Sequence, residues 1–136
     1  MTATWRHLAT RFFGSLRPGG PPPPDDAWAT EALLPGEVAL WRRMSGPDRR
    51  HAVGVARRTE AVLPPPVARP VLAAALLHDV GKISSGLGPV RRAVATLAGM
   101  AASHDAATRW QSRSGSVGRT GRYLCHDAIG ADLLAA

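Results

Sequence analysis

Apolar residues return every three or four positions along most of this chain, the spacing that lines one face of a helix. In residues 4–16, Trp5, Leu8, Phe12 and Leu16 share a face, with Arg6, Arg11 and Arg17 around it. This predicts a short basic amphipathic helix. Residues 25–34, carrying Trp28 and Leu33, predict a second helix capped by Asp25 or Asp26, and Pro35-Gly36 ends it. Residues 37–44 predict a third. Ser45-Gly46-Pro47-Asp48 is a turn leading into a helix, with proline in its first turn and an acid beside it. That helix runs through His51, Val55 and Thr59 to about residue 62, where three prolines stop it. Pro70 opens the next, residues 71–79, apolar all round and therefore expected at the centre. After Gly81 and a loop over 84–88, a helix is predicted over 89–102, and two short ones near 122–126 and 128–136. Residues 103–121 are mixed, with a flexible Ser/Gly/Arg stretch from 112 to 121. No segment alternates as a strand would. The fold class expected is all-α.

Composition changes this picture in two places. Alanine supplies much of the 45% apolar fraction, and the aromatics number only four Trp, two Phe and one Tyr, so a core of closely packed small side chains is expected. Residues 17–24, with four consecutive prolines, read as a semi-rigid spacer. The chain thus divides into a helix over 1–16, a Pro/Gly linker over 17–24 and a helical domain over 25–136. The formal net charge of +7 attracts anionic partners without choosing among nucleotides, nucleic acid, lipid and acidic proteins. A single cysteine, Cys125, excludes an internal disulfide. No apolar run approaches the ~20 residues of a membrane span, and no signal peptide is evident. A cytoplasmic protein is expected.

The chemistry gathers at Leu76-Leu77-His78-Asp79-Val80-Gly81-Lys82. An imidazole and a carboxylate sit adjacent at the end of a buried apolar helix, where both are costly unless paired. A divalent cation is an economical partner for the two, because it accepts a neutral imidazole nitrogen and a carboxylate oxygen. Gly81 is expected to let the backbone turn, and Lys82 sets a cation beside the site. His51 lies 27 positions before His78 on the preceding helix. A helix–proline turn–helix connection returns it toward His78 and Asp79. Arg49 and Arg50 are phosphate contacts or solvated charges.

His51, the His78-Asp79 pair, Gly81 and Lys82 together resemble the H…HD signature of the HD superfamily of metal-dependent phosphohydrolases. The segment His126-Asp127-Ala128-Ile129-Gly130-Ala131-Asp132-Leu133-Leu134 is similar to a downstream element of many such proteins. The likeness covers about residues 37–136. It implies an HD-like helical bundle around one or two divalent ions (Mn, Fe, Zn, Ni, Co or Mg). His51, His78 and Asp79 would be ligands, and His126 a candidate ligand of a second ion. It further implies hydrolysis of a nucleotide or other phosphoester, with Asp79 orienting water and Lys82 stabilising phosphoryl charge. The family pattern closes its site with a distant aspartate from a later helix. Asp132 shares its short helix with His126 and is too near to be that residue, so the sequence reads as an HD domain cut short.

Other readings stand beside this one. The fold could serve as a non-catalytic module that binds nucleotide, metal or a protein. The basic first helix and proline spacer are also compatible with an adaptor or a peripheral membrane protein, although packing of that helix on the domain is the expectation. His126 is equally a joint between two helices, and His104-Asp105 reads as a surface turn. Arg113, Arg119 and Arg122 are candidate phosphate forks on the flexible stretch. Cys125 is expected as a small buried apolar residue. Apolar surface at Leu133 and Leu134 makes a homodimer an expectation too.

Overall fold

The computed structural model describes residues 17–136, and the helix expected over 4–16 lies outside the described residues. The described chain is all-helical, as predicted: α1 (Pro23–Glu31), α2 (Pro35–Arg43), α3 (Gly46–Val62), α4 (Arg69–Leu77), a 3-10 turn (Val80–Ser84), α5 (Pro89–Ala101), α6 (His104–Gln111), α7 (Gly115–Leu124) and α8 (His126–Ala135).

Helix α1 starts at Pro23, inside the stretch read as spacer. Proline is admitted there because the first-turn N–H groups have no intrahelical partner to lose. Asp25 and Asp26 consequently fall in the first turn rather than at the cap, where they favour the positive end of the helix. Both also bind across to α3. Asp26 Oδ1 accepts from Trp41 Nε1 at 2.9 Å and from Arg49 at 3.1 Å, and Asp25 pairs with Arg57. Arg57 lies over the Trp28 ring, 3.6 Å from its centroid. The start of α2 is held by Glu37, whose carboxylate accepts from the Leu34 N–H at 2.7 Å and from Arg69 on α4 at 2.9 Å. Helix α3 starts at the predicted turn, and Ser45 caps it by accepting from the Asp48 N–H.

The core of this half is one cluster: Ala29, Leu33, Trp41, Met44, Ala52, Val53, Ala56, Ala73, Leu76, Leu77 and Val80. Trp41 is its largest member and is completely buried. Ala52 and Ala56 on α3 let α4 approach closely, and those two helices form the main contact of this half. Helix α4 is not buried all round. Leu72, Ala73, Leu76 and Leu77 face inward, while Val71 and Ala74 are exposed.

The second half corrects the sequence reading most. Residues 112–121, expected to be flexible, lie mostly in helix α7, which packs closely on α6. Glycines are the reason. A Cβ at Gly118 would overlap the Arg113 carbonyl, and one at Gly121 would overlap the Trp110–Gln111 backbone, so only glycine admits this approach. His104, expected in a surface turn, is in the first turn of α6, which Ser103 caps; it is exposed as expected. Asp48 accepts both bonds from Arg92 Nη1 at 2.7 Å, tying α5 to the start of α3. Cys125 is buried at the joint between α7 and α8. No described helix is long and apolar enough to cross a membrane.

Candidate metal centre

His51 projects from the second turn of α3, and α4 ends at Leu77, so His78 caps it and Asp79 begins the turn beyond. The antiparallel return of α4 against α3 brings the three residues together, as the sequence predicts. The His51 and His78 rings meet edge-on with centroids 5.5 Å apart. One nitrogen of each histidine and an Asp79 oxygen all lie within 4.8 Å of one another. His126 arrives from the second half, its Nε2 3.3 Å from Asp79 Oδ1. Lys82, one turn past Asp79, places its ammonium 2.6 Å from Asp79 Oδ2. His51, His78, Asp79, Lys82 and His126 are therefore brought together. Asp132 is exposed on α8, and His104 is exposed on α6, outside the three clustered donors.

Gly81 acts through space rather than by a turn. It belongs to the 3-10 turn, and a Cβ there would overlap the carbonyl of His126 and crowd the Gly130 amide. Bare backbone against bare backbone is what seats the start of α8 on the turn, and so seats His126 beside Asp79.

Two carbonyls fix the imidazoles. His78 Nδ1 is 2.8 Å from the Ala75 carbonyl and His126 Nδ1 is 2.7 Å from the Tyr123 carbonyl. A carbonyl only accepts, so each Nδ1 carries its proton and each Nε2 is turned toward Asp79. His78 Nε2 lies 3.3 Å from Oδ2. With neutral rings, lone pairs would confront a carboxylate. Either protons or a cation must lie between them. Backbone carbonyls that orient the far nitrogen are the usual outer support of a ligating histidine.

The electrostatics tell the same story. Asp79 is 4% exposed. Burial alone would raise its pKa, but His126, His78 and Lys82 outweigh it and hold the carboxyl well below the usual range. Asp79 draws the His78 pKa upward, against the opposing effect of burial. Oδ2 is sealed from solvent and ion-paired with the Lys82 ammonium. A buried carboxylate with two imidazole Nε2 atoms turned toward it is a donor set that a divalent ion can use. Two imidazoles and one carboxylate fit Mn, Fe, Co, Ni or Zn, while Mg favours a set richer in oxygen.

Tyr123 and Ala75 escaped the sequence reading. The available signal was positional. Each carbonyl precedes a histidine by three residues at a helix end, where C=O groups lack intrahelical partners. Tyr123 also stacks on His126, with centroids 5.9 Å apart. Three of the candidate phosphate-binding arginines make bonds within the fold. Arg49 binds Asp26, Arg50 holds the Gly19 and Arg17 carbonyls, and Arg122 holds those of Ser84 and Gln111.

Searches against protein-family models, curated proteins and solved structures found no match for this chain.

Proposed function

We propose that the chain is a divalent-metal-dependent phosphohydrolase of the HD type, acting on a nucleotide or another phosphoester. The observation that carries this reading is the convergence of Nδ1-locked His78 and His126, with His51, on one buried carboxylate. His51, His78 and Asp79 would hold the ion, and His126 would support Asp79 or contribute to a second ion. A bound divalent ion supplies Lewis acidity and lowers the pKa of attached water. Lys82 holds an ammonium where phosphoryl charge would be met. Asp79 fixes both Lys82 and the histidines, and Gly81 keeps His126 in reach. Hydrolysis of 4-nitrophenyl phosphate should require added Mn or Co and disappear in His78→Ala. Lys82→Met should keep metal while losing most turnover. Equal hydrolysis by wild type and His78→Ala would end the proposal.

A second reading, a metal- or nucleotide-binding module without turnover, has its own support. Asp79 already faces Lys82, His78 and His126, and among the described residues no second carboxylate joins the cluster as a base. Metal binding without hydrolysis of any phosphoester would favour it.

A further inference from the structure

Helix α5 is amphipathic with its faces reversed. Its packed face carries small or polar residues: Ala95 is buried, Gly99 abuts Leu124 and Thr96 reaches the Tyr123 hydroxyl at 3.4 Å on α7, and Arg92 binds Asp48 on α3. Its large apolar side chains point the other way. Val90, Val94, Leu97 and Met100 are 63%, 61%, 62% and 73% exposed. They recur at intervals of four, three and three residues, which forms one continuous stripe along the helix. A stripe of this kind marks an interaction surface.

We propose that a second copy of this chain covers the stripe, with the two α5 helices antiparallel about a twofold axis between Val94 and Leu97. The stripe is self-complementary in that arrangement. Val94 of one copy lies against Leu97 of the other, and Val90 lies near the far end of its counterpart. Charge selects the antiparallel sense. Arg91 is exposed at the start of α5, and Asp105 is exposed just beyond its end. Antiparallel pairing runs the Arg91 stem across Met100 of the second copy. It carries the guanidinium toward Asp105 and the negative end of the opposing helix. Parallel pairing would instead set two arginines together. The paired stripes bury on the order of 1,000 Å² in total, the lower end for a specific complex, so a reversible dimer follows. The contact does not depend on the metal reading. It also differs from a dimer through Leu133 and Leu134.

Sedimentation equilibrium of the full chain tests this, with far-UV circular dichroism to confirm folding. The mass should climb from 14.3 kDa toward twice that value between about 10 μM and 1 mM. Leu97→Lys, a change at an exposed position, should abolish the rise, and Leu134→Lys should leave it intact. Arg91→Glu and Asp105→Arg should each weaken association several-fold, and the double swap should restore it. A constant 14.3 kDa mass through 1 mM overturns the proposal, whether the stripe is then covered by another part of the chain or by lipid. A Leu97→Lys protein that dimerises as wild type overturns it equally.

Discussion

The two halves of this molecule are held together by different means. From α1 to α4 the interior is filled by large side chains around Trp41, Leu76 and Leu77, and hydrogen bonds accepted by Asp26 and Glu37 pin the helices to one another. From α5 to α8 the helices meet through Ala95, Ala107, Gly118 and Gly121, and several larger apolar side chains face outward. Burial of large side chains contributes most of a fold's stability. The first half is therefore the firm platform, and it presents His51, His78, Asp79 and Lys82. The second half is the lighter attachment that delivers His126. With the candidate ligands on the firm half and His126 on the light half, the proposed site should keep its core when its edge is lost.

The contrast breaks most sharply at Trp41. Trp41→Ala removes the largest buried side chain and leaves the Asp26 carboxylate with one donor fewer. It should lower stability by about 3–5 kcal/mol. Leu124→Ala, on half-buried α7, should cost about half as much or less. Urea denaturation of the two variants compares the halves directly, and equal losses would erase the distinction.

Gly81→Ala sharpens it. The added methyl overlaps the His126 carbonyl, so α8 must lift off the turn. A loss of about 2–3 kcal/mol is expected, together with a His126 NMR signal that no longer responds to metal. Gly86→Ala, in open space but at φ +59°, should cost only about 1 kcal/mol and leave that signal unchanged.

His126→Ala gives the smallest effect. His126 touches Asp79 but stands apart from the three clustered donors. Its loss should weaken metal binding about 10- to 100-fold, as outer-support mutations do, without abolishing it. Isothermal titration with Mn decides, and complete loss of binding would promote His126 to a primary ligand.

The firm half was the legible one. Its helices are bounded by Pro35, Ser45, the prolines at 64–66 and Pro70, and its donors are residue types whose chemistry shows in the sequence. His51 and His78 could be brought together from connection length alone. The light half hid from pattern reading, because glycine contributes no apolar periodicity. Gly118 and Gly121 look like loop residues until α6 is seen packed against them. The orienting carbonyls of Ala75 and Tyr123 were hidden for a related reason, since every residue has a carbonyl and only helix ends free it. The reversed face of α5 was present in the spacing of Val90, Val94 and Leu97, but periodicity marks a stripe without saying which way it faces.

The proposed hold of His51, His78 and Asp79 on a divalent ion is tested most directly by metal content, measured by elemental mass spectrometry. Chain purified without chelator should be compared with Asp79→Asn, which keeps the shape of the side chain and removes its charge. Near-stoichiometric transition metal in the first and little in the second is the predicted result. Equal metal in both, or none in the first after incubation with Mn, Co and Zn in turn, would contradict it.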